Sequence, residues 1–252
     1  MFCSKEQNIF IFSKKITMTF TEYLKQLTIG FTPVLGDFKA EDYLPLDLSV
    51  SNKGLAEVDL TSPQAMQDYI QQQLQSSDKR VAVGGYLEKR NLYRRSEHFS
   101  KQTIKDRDIH IGLDLWANAY TAVFSPLAGE VHSFQNNTNF GDYGPTIILK
   151  HSFNEVEFYT LYGHLSLASI EDLKVGKQVA AGQKIAELGE AEVNGDYAPH
   201  LHFQLIKDIE QKTGDYPGVC SIENLDFYRK NCPDPNLLLK IISLSSSQKS
   251  KQ

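Results

Sequence analysis

Apolar and polar positions change rhythm near residue 100. Before it, "TSPQAMQDYIQQQLQ" puts Met66, Tyr69, Ile70 and Leu74 at helical spacing. Ser62 stands where a helix cap belongs and Pro63 at the first helical position, so a helix is predicted there. "TEYLKQL" predicts a weaker helix, and the stretch between, with Pro33 and Pro45, reads as loop. From residue 109 the pattern is that of strands. "AVFSPLAGEVHSF", "PTIILKHSF", "EVEFYTLYGHL", "KVGKQVAAGQKIAEL" and "HLHFQLI" are rich in β-branched and aromatic residues and punctuated by Gly, Pro and Asn.

The chain thus divides into an N-terminal extension over 1–100, mixed helix and loop, a β domain over 101–240, and a flexible tail over 241–252. Met18 opens "MTFTEYLKQL", a more natural beginning, so 1–17 reads as a mis-called start. "SPLAGEV" and "VGKQVAAGQKIAELG" share small-residue turns between short strands, which hints at an internally duplicated β unit. Within the extension, "LEKRNLYRRSEH" at 87–98 carries a basic run. It reads as a solvated connecting face, with a substrate-contacting loop as the alternative.

Composition narrows the class without choosing a function. The 252 residues are 41% hydrophobic and 23% charged, ordinary for a soluble globular protein. A net charge of −5 gives a nucleic-acid or anionic-membrane partner little electrostatic support. No run approaches the ~18 apolar residues that span a bilayer. The apolar core "IFIF" near the start is too short for a secretory signal, so a cytoplasmic location is expected, or the envelope if the start is mis-called. Cys3, Cys220 and Cys232 are odd in number and lack CxxC spacing, which argues against a disulfide framework or a thiolate metal site.

The seven histidines are less evenly spent. In "PHLHF", His200 and His202 lie two apart on a predicted strand and project to one face, while Leu201 and Phe203 take the other. In "HIGLD", His110 and Asp114 are four apart, and a fully extended strand would separate their Cα atoms by about 13 Å. Gly112 between them permits a bend and presents no side chain where the two must converge. His164, in "LYGHLS", follows a hydrophobic strand after Gly163, where the chain is expected to turn. His98, His132 and His151 receive no role.

A hydrolytic zinc ion takes three protein ligands from imidazole and carboxylate and keeps a position for water. Four histidines and one aspartate exceed that need by two imidazoles, whose ordinary pKa near 6.5 suits proton transfer.

"HIGLD…LYGHLS…VGKQVAAGQKIAELG…PHLHFQ", over about 107–206, resembles the M23 peptidase family of lysostaphin- and LytM-like zinc endopeptidases. The resemblance implies a compact antiparallel β sandwich or barrel of the duplicated hybrid motif type, here with a mixed, partly helical N-terminal extension. It implies one Zn2+ per chain held by His110, Asp114 and His202, with His164 and His200 in catalysis. It further implies a peptide or peptidoglycan-derived substrate. The stretch "VNGDYAPHLHFQL…GDYPGV" is also similar to M23-like domains fused to class III aminotransferases, which would suit a cytoplasmic role on, or binding of, a non-wall amide or peptide. A phosphohistidine carrier of related fold is a third possibility, against which the H-x-H pair argues. Two departures from the family pattern stand out. Ala198 and Gln204 flank the H-x-H motif where Gly and Glu are common, and no tyrosine shortly precedes His110.

Overall fold

A computed structural model describes residues 18–91 and 107–242. The expectations for 1–17, Cys3, His98 and the rest of 92–98, and the tail beyond 242 lie outside them. The first helix, α1 (Phe20–Leu27), starts at Thr19, whose side chain accepts from Glu22 N while Glu22 reaches back to the Thr19 amide. In α2 (Pro63–Ser77), Ser62 caps the first turn, Pro63 begins it, and Met66 and Ile70 are buried, as the spacing predicts.

Most of the chain is β. Eight strands form one sheet in the order β1 (Tyr43–Leu46), β2 (Val81–Gly84), β4 (Leu113–Trp116), β11 (His200–Ile206), β8 (Val156–Gly163), β7 (Gly144–Phe153), β6 (Gly129–Asn137) and β9 (Gln178–Val179). All neighbours are antiparallel except β1 and β2, so the sheet is mixed. Two small ribbons complete the fold: β5 (Ala122–Phe124) with β10 (Lys184–Glu187), and β3 (Ile109–His110) with β12 (Val219–Cys220). The two look-alike segments lie together, since β5 pairs with β10 and β6 with β9. Among the described residues, no helix is long and apolar enough to cross a membrane.

The N-terminal extension differs from the helix-and-loop reading. Both β1 and β2 belong to the main sheet, and Pro45 lies within β1 rather than in a loop. A proline is tolerated there because β1 is the edge strand and one missing N–H breaks no interior ladder. The extension therefore widens the sheet from the β4 side, and Val81 and Val83 join the same core as Leu113 and Leu115.

Strand β11 is buried along its whole length, with its two faces doing different work. Leu201, Phe203 and Leu205 enter the main apolar core, where Phe203 meets Tyr162 edge-on at 5.3 Å. His200, His202 and Gln204 face the other side. Cys220 and Cys232 are buried free thiols. His151 is fully buried on the interior strand β7 rather than at a sheet edge, with its ring nitrogens satisfied by Ala128 O and the Thr160 hydroxyl.

Because Phe203 is fully buried, Phe203→Ala should lower the unfolding free energy by about 3–5 kcal/mol, measured by urea titration.

Candidate metal centre

One rung of the sheet carries the site. Gly84 pairs with Asp114, Asp114 with His202, and His202 with Gly163, so all four positions share a face. The two glycines are required by what passes over them. A Cβ on Gly84 would lie 2.6 Å from the Trp116 ring, and one on Gly163 would lie 2.6 Å from the Tyr143 ring. His110 reaches this rung from β3 across the bend at Gly112, where a Cβ would fall 2.6 Å from His202 Nε2. The bend and the bare position expected between His110 and Asp114 are both present.

Three potential metal ligands converge here: His110, Asp114 and His202, all buried. His110 Nε2 is 3.0 Å from His202 Nδ1 and 3.2 Å from Asp114 Oδ1, and His202 Nδ1 is 3.0 Å from that same oxygen. Hydrogen-bond partners fix the tautomers. Gly85 O lies 3.0 Å from His110 Nδ1 and can only accept, so that nitrogen carries the proton and Nε2 turns a lone pair inward. Gln204 donates through Nε2 to Pro217 O and to Cys232 Sγ, which orients its amide and leaves Oε1 to accept from His202 Nε2 at 2.9 Å. His202 Nδ1 is then also a lone pair. Two nitrogen lone pairs and a carboxylate oxygen thus face one another at contact distance, an arrangement that repels itself unless a cation sits among them. The amide at Gln204 supplies the acceptor that a carboxylate would otherwise offer to His202.

Two further imidazoles adjoin the cluster. His164 follows β8 at the expected turn, with φ of 62°, in the left-handed region that is uncommon for a side chain of this size. It is held there because its N–H donates to Tyr143 O and its carbonyl accepts from Gly189 N. His164 Nδ1 donates to Asn194 O at 2.7 Å, and His200 Nδ1 to Ala198 O at 2.8 Å. Each Nε2 is therefore an acceptor. The two rings lie 4.2 Å apart, and His200 Nε2 is 3.9 Å from Asp114 Oδ1. A cavity of about 210 Å³ opens onto all five residues, walled by Tyr143, Tyr197, Tyr216 and Gly218. Among the described residues, those lining it begin at Arg107, so none comes from 18–91.

Burial sets the protonation states. It lowers His110 to about 4, helped by the nearby Arg90 cation and opposed by Asp114. Burial also lowers His200, and it holds His164 well below the ordinary histidine range. For Asp114, burial alone would raise the carboxyl, but His110 and the Arg90 guanidinium outweigh it and hold the group well below the usual carboxylate range. At neutral pH His110, His164 and His200 are neutral and the Asp114 carboxylate is ionised, the states that suit metal ligation and proton acceptance.

Several residues of the centre were not singled out from the sequence. Arg90, only 1% exposed, bonds through Nη1 to Asp114 Oδ2 at 2.5 Å and through Nε to Glu88 Oε2 at 2.5 Å. This overturns the solvated-face reading for Glu88 and Arg90, since a pair of carboxylates inside the fold compensates the guanidinium. Tyr143, from the connection between β6 and β7, brings its hydroxyl to 3.4 Å from His202 Nε2. Trp116 stacks on His200 at 5.4 Å and 22°. Strand alternation from Asp114 would have put Trp116 on the ligand face, whereas nothing in local spacing distinguishes Arg90 or Tyr143.

Gly112→Ala should displace the His202 ring, read as altered imidazole nitrogen resonances with the fold retained. Acid stability follows from the histidines. His110 and His151 both fall to about 4 when folded, against about 6.5 when unfolded. The native state then binds fewer protons across that window, so stability is fully present above pH 6.5 and is lost as pH falls towards 4. Urea titrations of the metal-free protein between those pH values should show this decline.

Residues 108–214 match the family model for peptidase family M23. The chain is similar to a zinc containing peptidase from Vibrio cholerae at 30% identity, covering 39% of this chain and 27% of that one with a TM-score of 0.31. It is similar to the catalytic domain of the antimicrobial peptidase lysostaphin from Staphylococcus simulans at 27% identity, covering 48% and 80% with a TM-score of 0.33. A third similar structure is a mutant catalytic domain of the prophage-encoded M23 protein EnpA from Enterococcus faecalis, at 25% identity, 47% and 85% coverage, and a TM-score of 0.35. The chain spans about a quarter of the length of the Vibrio protein. Among curated proteins, none matches. Residues 108–214 thus form a domain that matches peptidase family M23.

Proposed function

We propose that this protein is a zinc-dependent metalloendopeptidase, with His110, Asp114 and His202 as the zinc ligands and His164 and His200 as the catalytic histidines. One observation carries the reading: three acceptor atoms form a triangle with edges of 3.0–3.2 Å, and two imidazoles stand beside it with Nε2 unprotonated. Zinc–ligand distances of about 2.0–2.1 Å in a tetrahedron need ligand spacings near ~3.4 Å, close to the triangle observed. When bound, zinc supplies Lewis-acid polarisation and lowers the pKa of a water ligand to about 7.

The chain's own groups do the rest. His200 Nε2 is the better proton acceptor of the two imidazoles, because the Asp114 carboxylate at 3.9 Å and the face of Trp116 both favour its cation. Having taken a proton from the attacking water, His200 is in position to return it to the leaving amine. His164, held neutral more firmly, orients that water through its own Nε2 lone pair. A peptidoglycan-type peptide is the substrate we assign, on the resemblance carried by "HIGLD…LYGHLS…PHLHFQ". A phosphocarrier role fits less well, since the inward nitrogen of His110 is enclosed by His202 and Asp114.

His202→Ala should lose zinc, measured by metal analysis of the purified protein. His164→Ala and His200→Ala should keep zinc, with His200→Ala lowering kcat by about 10²–10⁴-fold on defined muropeptides followed by mass spectrometry. Equal metal loss in all three variants would overturn the division between ligands and catalysts.

A further inference from the structure

We infer that Arg90, which lies before the family match, is a positioning residue of the metal centre and makes the N-terminal extension part of that centre. The inference rests on the zinc-site reading above. Asp114 divides its oxygens: Oδ1 faces His110 and His202, and Oδ2 is taken by Arg90 Nη1. That division holds the carboxylate as a one-oxygen ligand, because chelation through both oxygens would require breaking a buried charge-assisted hydrogen bond.

Arg90 is itself held through Nε and Nη1. Its Nε donates to Glu88 Oε2, and the other oxygen of Glu88 accepts from Leu48 N at 3.0 Å, tying the guanidinium into the extension. The Arg90 guanidinium carbon lies 5.8 Å from the centre of the Trp116 ring, which in turn stacks on His200. Gly84 leaves the space, for a Cβ there would come within 2.9 Å of Arg90 Nη2. The backbone of the same segment runs alongside the first ligand. Leu87 N donates to His110 O, His110 N donates to Glu88 O, and Gly85 O accepts from the His110 ring. The extension thus sets the orientation of two of the three ligands.

The charges give the same assignment. Glu88, Arg90 and Asp114 together carry one net negative charge inside the fold, which suits a site that receives a cation. Lysine would not replace arginine, since a point charge on a flexible stem cannot bridge Glu88 and Asp114 as a rigid fork does.

The test uses the full chain. Arg90→Lys is compared with wild type for folding by circular dichroism, for zinc affinity by chelator competition, and for the visible spectrum of the cobalt-substituted protein. The variant should fold yet lose roughly 10- to 100-fold in zinc affinity, as groups that orient metal ligands do. Its cobalt absorption should weaken as the freed carboxylate chelates and the coordination number rises, a change that general loosening of the fold would not produce. Should Arg90→Lys fail to fold, the pair Glu88→Gln with Arg90→Met removes both charges together and should show the same two changes. Wild-type affinity with an unaltered cobalt spectrum in the folded variant would overturn the role of Arg90 alone. Absence of zinc uptake by wild type would instead overturn the metallopeptidase reading on which it rests.

Discussion

The mutual repulsion of three inward-facing acceptors at one rung of the sheet is the constraint from which the rest of this structure follows. Lone pairs on two imidazoles and an ionised carboxylate oxygen are held about 3 Å apart on buried side chains at the floor of a cavity. Such a cluster survives in the folded state only because every outward atom is anchored: His110 to a carbonyl, His202 to an amide oxygen, Asp114 to a guanidinium. The strands supply the rigidity. β4 and β11 are interior to an eight-stranded sheet, with an apolar face of fully buried leucines and a phenylalanine behind Asp114 and His202. Packing on one face thereby resists the electrostatic strain on the other.

Much of this was legible from residue order. Period-two alternation in "HLHF" separates His200 and His202 from Leu201 and Phe203, and the sheet keeps that separation. The glycine in "HIGLD" marks a close approach, and the space it leaves is filled by the His202 ring. Ser62 and Pro63 announce the start of α2 through chemistry confined to one turn. Each of these signals is local, and the physics that makes it readable acts over a few residues.

What was not legible depends on long-range closure. Arg90 and Asp114 are 24 positions apart, and the pairing exists only because β2 adds to the edge of β4. In the sequence, Arg90 sits in a basic run indistinguishable from a solvated face. Pro45 suggested a loop because its missing donor weakens a strand, and only the position of β1 at the sheet's edge removes that objection. Tyr143 meets His202 through a connection whose path no periodicity encodes.

Three of the four imidazoles at the centre have their outer nitrogen secured by main-chain carbonyls, those of Gly85, Asn194 and Ala198. A carbonyl belongs to the path of the chain, and no point substitution deletes it. Ring orientation at this centre is therefore inherited from backbone geometry, so chemical variation among neighbouring side chains can retune the cavity without dismantling the alignment of its histidines.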